Sequence, residues 1–211
     1  MCTLCDPGKY CASSGLGSVS GTCQTGSYST GGAVSAACVA CPVGTQQNVT
    51  GQSSCAPCFP GMYCGSLGLS NPTGPCRAGS YSFGGATAPS CTSCSVGTFQ
   101  PLTGQGSCLP CSPGMYCATT GLTVETGKCV VGSQSGGSAS SPSCTPCASG
   151  YFQNLTGQRS CLPCDAGAFC SGTGLTAVSG LCSPGSYSSG GASSSACSPC
   201  PAGKHCATSG L

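Results

Sequence analysis

The sequence predicts a chain of small disulfide-rich repeats, with short β-hairpins and irregular loops stacked into an elongated rod and no significant helix. Two observations carry that expectation. Cysteine makes up 25 of 211 residues, a density typical of disulfide scaffolds. The cysteines also recur with a fixed period: Cys2, Cys55, Cys108 and Cys161 each lie 53 residues apart. A period of this length marks a repeat architecture.

Composition removes the alternative of one large core. The hydrophobic fraction is 38%, but cysteine is counted in it, and there is no Trp. Small scaffolds with so few large apolar residues depend on covalent staples. Stable disulfides need an oxidising compartment, which places the chain outside the cell or on its surface. Charge is nearly absent, with five Lys or Arg against three Asp or Glu. Such a chain has no electrostatic footprint for nucleic acid. No apolar run approaches the length of a membrane span. No signal peptide is visible, and both ends read as cuts through a longer periodic protein, Met1-Cys2 and Gly210-Leu211 falling in phase with the pattern.

Each period holds three loops that open with Cys-x-x-Gly. The first is short, as in Cys5-Asp-Pro-Gly-Lys-Tyr-Cys11, and an eleven-residue link follows it. The second runs from Cys23 to Cys38 and carries Gly31-Gly32. In its copy from Cys129 to Cys144 the glycine pair slips by one, and Gln134 takes the aromatic place. The third is Cys41 to Cys55, with Thr-Gly-Gln before its closing cysteine. The residue five places after the opener is aromatic in nine of the twelve loops, the exceptions being Gln46, Gln134 and His205. Within each long loop the pattern predicts a small hairpin, with Tyr28, Tyr81 or Phe99 on a strand and glycine supplying the positive φ of a turn. The aromatic ring is expected to cover the neighbouring disulfide. The period divides the chain into repeats 1–54 (truncated at its start), 55–107, 108–160 and 161–211.

The fourth period skips its third loop, so that the next repeat begins at 197 and Cys200 opens a short loop. Seventeen residues are lost, and two cysteines with them. A deletion is best tolerated when it removes both partners of a bond, which pairs Cys41 with Cys55. Extending that logic, each opener bonds the next cysteine. The short loops become Cys5–Cys11, Cys58–Cys64, Cys111–Cys117, Cys164–Cys170 and Cys200–Cys206. The second loops become Cys23–Cys38, Cys76–Cys91, Cys129–Cys144 and Cys182–Cys197, and the third loops Cys41–Cys55, Cys94–Cys108 and Cys147–Cys161. Cys2 is left over, its partner preceding the sequence. Connectivity cannot be proved from sequence. In the chain-entropy model a loop of ~15 residues is worth about 3 kcal/mol and the short loops about 2.4 kcal/mol.

Cys-x-x-Gly-Thr-Phe followed by Thr-Gly-x-x-x-Cys-x-x-Cys resembles the cysteine-rich ephrin-receptor-like repeats. These are similar in turn to the first half-module of tumour necrosis factor receptor cysteine-rich domains. The resemblance covers nearly the whole chain and implies an extracellular module without naming a ligand. In the half-module the next cysteine closes the loop, which agrees with Cys41–Cys55 and Cys23–Cys38. The short Cys-x5-Cys loops depart from that pattern.

Candidate chemistry is sparse. A zinc site needs a closed set of four ligands, and here the Cys-x-x-Cys pairs recur together with all the other cysteines at fixed gaps. A thioredoxin-like redox role needs a βαβ context that the pattern lacks. His205 is the single histidine and fills an aromatic place, so no Ser-His-Asp set assembles and no enzyme, metal or cofactor is expected. Asn48-Val-Thr50 and Asn154-Leu-Thr156 are N-glycosylation acceptors at the same place in periods one and three. Period two has Pro101 there, and Asn71 is blocked by Pro72. Ser and Thr number 57 and offer places for O-linked sugar. The expected role is a structural segment of an extracellular fibre, appendage or stalk, self-associating or continuing in the same chain. The alternative is a ligand-binding or adhesive ectodomain.

Overall fold

A computed structural model describes residues 3–211; Cys2, unpaired in the scheme above, lies outside the described residues. The chain divides into two compact units, Met1–Cys94 with Gln100–Cys108, and Ser95–Phe99 with Leu109–Leu211. Among the described residues there is no helix, and the regular structure is eleven antiparallel hairpins of two-residue strands.

All three loop types build the same hairpin, including the short one. Ser27–Tyr28 pairs with Val39–Ala40, and Thr45–Gln46 pairs with Ala56–Pro57. Both return strands are the two residues inside a Cys-x-x-Cys. In the short type, Lys9–Tyr10 pairs with Gly21–Thr22. The eleven-residue link is therefore no linker: it carries the return strand of its own hairpin. The facing residue is glycine in each copy, with Tyr10 opposite Gly21, Tyr63 opposite Gly74, Tyr116 opposite Gly127 and Phe169 opposite Gly180. There the aromatic ring lies against that glycine, close enough that a Cβ at Gly21 would come within 2.9 Å of the Tyr10 ring. A ring laid over a strand glycine restores the packing that the missing side chain forfeits.

Neighbouring loops are joined by backbone bonds that repeat in both units. The opener glycine sits at positive φ, between 74° and 88°. Its N–H donates to the residue six places after the next opener: Gly8 to Ser29, Gly26 to Gln47 and Gly44 to Cys64, at 2.7 to 2.9 Å. Its carbonyl accepts from the next opener, as Gly8 does from Cys23 and Gly26 from Cys41, both at 2.9 Å. A third bond runs to the opener's carbonyl from a residue at left-handed φ in the following loop: Gly32 to Cys5, Gly51 to Cys23 and Gly68 to Cys41. Those three donors come from the second, third and first loop types respectively. The bonding unit is thus the single loop, and the 53-residue period contains three of it.

These bonds explain why glycine stands at the opener. A Cβ on Gly114 would overlap the carbonyl of Gly157, and its φ of 78° disfavours any L-residue. They also explain what the slipped glycine pair costs. In period three the donor to the Cys111 carbonyl is Ser138, a non-glycine residue at φ 59°.

The core is built from cystine. Among the described residues every buried apolar residue apart from Ala168 is a cysteine, and most are openers such as Cys23, Cys41 and Cys76 at 0% exposure. Among the described residues twelve disulfides close the loops, each joining an opener to the next cysteine along the chain. Small polar groups fill the remaining interior and are bonded locally. Ser27 donates to the Gln24 carbonyl at 2.7 Å, and Ser29 accepts from the Gly31 N–H at 3.0 Å. Both serines are buried, and the bonds remove the cost of burying their hydroxyls. One aromatic place is not satisfied in this way. Gln46 is buried, and its Oε1 has no hydrogen-bond partner among the described residues. Gln134, its counterpart in another loop, accepts from the Cys161 N–H at 2.6 Å.

Three variants test this account, each read as the shift in guanidinium unfolding of the oxidised protein. Gly114→Ala is expected to destabilise by more than about 2 kcal/mol, because it adds left-handed strain to a backbone overlap. Ser138→Gly is expected to stabilise by about 1 kcal/mol, by relieving strain at an exposed position. Gln46→Phe, which installs the residue of the equivalent positions Phe99 and Phe152, is expected to stabilise by about 1–3 kcal/mol through loss of a buried unpaired carbonyl.

Candidate modification loop

The third loop type holds its exposed segment between fixed backbone points. In period one, Gln47 is tied at both ends of its peptide unit, its N–H donating to Leu69 at 3.0 Å and its carbonyl accepting from Gly26 at 2.7 Å. Four residues on, the Gly51 N–H donates to Cys23 at 2.9 Å. The three residues between, Asn48, Val49 and Thr50, are all exposed and belong to no strand. Period three repeats the geometry. Gln153 bonds Leu175 and Gly132, Gly157 bonds Cys129, and Asn154, Leu155 and Thr156 stand exposed between them.

The glutamine side chain braces this segment from within. Gln153 Nε2 donates to the Ser160 carbonyl at 2.9 Å, and its Oε1 accepts from the Leu155 N–H at 3.1 Å. Gln47 makes the same pair with Ser54 and Val49. Gln100 makes it with Ser107 and Leu102 in period two, where Pro101 stands in place of the asparagine. The brace therefore belongs to the loop and is independent of the acceptor sequence. Sequence reading overlooked it, although the signal was present: a glutamine six places after the opener in all three copies. Three places before the loop closes, the Gln158 amide reaches back to the Thr156 carbonyl at 3.1 Å. Each acceptor asparagine and its threonine thus project from a short, pinned bend with open solvent around them.

The other singled-out residues are not brought together. Asp6 pairs with Lys9 at 3.2 Å, both side chains well exposed, an interaction of small worth in water. His205 is exposed on the last loop. Among the described residues no cluster of three or more His, Cys, Asp or Glu could hold a metal ion. Among the described residues no helix is long and apolar enough to cross a membrane.

Residues 79–127 and 132–180 match the family described as tyrosine-protein kinase ephrin type A/B receptor-like. The two matches begin one period apart. The chain is also similar to human signal peptide, CUB and EGF-like domain-containing protein 2, at 39% identity over 108 residues. That alignment takes in 48% of this chain and 10% of the relative. It is similar as well to rat sushi, von Willebrand factor type A, EGF and pentraxin domain-containing protein 1, at 32% identity over 153 residues. Here 67% of this chain aligns with 4% of the relative. The chain therefore spans a small part of each of these larger proteins. With its loops closed by disulfides it is suited to an oxidising, extracellular setting. It carries tandem ephrin-receptor-like cysteine-rich repeats.

Proposed function

We propose that this chain is a structural segment of an extracellular, glycosylated fibre, filamentous appendage or stalk. The observation that supports this most is the bonding between loops. Each loop binds the next through backbone groups, with the same bonds whichever loop type follows. A chain joined in that way lengthens by adding loops, and each added loop contributes its own staple. Side chains are left free to face outward, and most of those facing outward are small and uncharged.

N-linked sugar at Asn48 and Asn154 fits this reading. Both asparagines are exposed, both are followed by an exposed threonine, and both sit at one place in their loops. Sugar there would supply the solubility that eight charged residues in 211 do not. Further sugar on exposed Ser and Thr would act in the same sense.

Two measurements test the proposal. Intact-mass analysis of the secreted protein before and after enzymatic removal of N-glycans is expected to show two occupied sites. Asn48→Gln and Asn154→Gln should each remove one of them. No mass change would refute the glycan assignment. Electron microscopy of native material is expected to show regular filaments whose axial repeat corresponds to 53 residues. Single rods tethered to membrane, without lateral or end-to-end order, would instead favour a receptor or adhesin ectodomain.

A further inference from the structure

Period two departs from its siblings at two exposed places. After the buried serine of the second loop the other periods carry Thr30, Gly136 and Ser189; period two carries Phe83. Phe83 is 78% exposed, with its ring edge-on to Tyr81 at 5.1 Å between centroids and 77° between planes. After the opener of the first loop the siblings carry Asp6, Ser112 and Asp165; period two carries Phe59, which is half exposed. The Gly85 N–H donates to the Cys58 carbonyl at 3.0 Å. That bond sets Phe59 and Phe83 within two residues of a shared backbone contact. Exposed aromatic rings grouped in this way mark interaction surfaces more often than isolated surface apolar residues do.

The equivalent place in period three is empty of side chains. Gly136 and Gly137 stand where Phe83 and Gly84 stand in period two. Over them lies an apolar cleft of about 560 Å³, walled by Phe99, Leu109, Pro110 and Pro113. A closed cavity of only about 150 Å³ takes up benzene, so this cleft has room for a phenyl ring. No charged residue lines it. At its edge the Glu125 carboxylate accepts a hydrogen bond from the Ser112 N–H. The loop that carries Phe83 has an exposed cation, Arg77.

We propose that Phe83 of one copy of this chain seats in the Phe99–Leu109–Pro110 cleft of a second copy. The knob and the socket are different surfaces, so each chain can engage two neighbours. A head-to-tail contact of that kind builds an open array wherever its rotation does not close a ring. Arg77 on the knob's loop and Glu125 at the socket's edge are of opposite sign and set the register of the approach. With a net charge of +2, copies repel one another little. This deepens the fibre proposal and rests on it, since it supplies the lateral contact that self-association needs.

The test is sedimentation velocity of the oxidised 211-residue protein over a concentration series, with Phe83→Ser and Leu109→Glu. Serine is what period four carries at the knob position, and Leu109 is 46% exposed, so both variants should keep the fold. An intact mass consistent with twelve disulfides checks this. The unaltered chain is expected to form species beyond the dimer. Each variant is expected to self-associate at least tenfold more weakly. An equal mixture of the two should form a one-to-one pair that grows no further, because Phe83→Ser keeps the socket and Leu109→Glu keeps the knob. A monomeric unaltered chain, or variants that assemble as it does, would overturn the contact. The two proposals fail separately. Regular native filaments alongside unaffected variants would remove this contact and leave the fibre reading, while single tethered rods alongside abolished association would do the reverse.

Discussion

The opener glycine's peptide unit is the point on which the rest of the molecule depends. Its N–H and its carbonyl are both spent on the following loop, and the neighbouring cysteine's carbonyl takes a third bond from the same loop. A side chain at that glycine would overlap the backbone it must approach. Each such bond is worth only about 0.5–1.5 kcal/mol net. Three at most joints, repeated along the chain, substitute for the apolar interface that this composition cannot supply. The disulfide serves the other half of the task. It holds each loop closed in the unfolded ensemble, so that the backbone bonds order a chain that has already lost much of its freedom.

The scarcity of large side chains follows from this arrangement. The interior is mainly cystine, glycine and short hydroxyl side chains, joined by the glutamines Gln46, Gln100 and Gln153. Serine is suited to the places where it is buried because its hydroxyl bonds backbone within two or three residues. Such a core tolerates variation on its outer face, since outward side chains contribute little to holding loops together. That freedom allows one loop to carry an acceptor asparagine, another Pro101 and another Phe83 without altering the bonding beneath.

Much of the fold class was legible beforehand, and the reason is covalent. Cysteine spacing records loop lengths directly, and the Cys-x-x-Gly-x-(Tyr/Phe) pattern carries the family resemblance that residues 79–127 and 132–180 bear out. One feature was misjudged. The eleven residues after Cys11 read as a link, yet Gly21–Thr22 form a return strand. The ring of Tyr10 lies against Gly21, because a glycine opposite an aromatic leaves a hollow that the ring fills. At the candidate loop, Asn48 and Asn154 were visible as sequons, whereas the brace made by Gln47 and Gln153 was not. A glutamine in a polar loop gives no sign of whether its amide is bonded inward.

The sequence by itself determined the period, the three loop lengths, the glycine places and the recurrence of the acceptor asparagines, because each is a matter of residue identity and spacing. Only the tertiary structure decided that the three loop types are one bonding unit, that Ser138 takes a left-handed place meant for glycine, and that Phe83 stands out where Gly136 leaves a cleft. Those outcomes rest on backbone groups meeting between loops. Every residue carries the same N–H and carbonyl, so no residue letter announces which of them will meet.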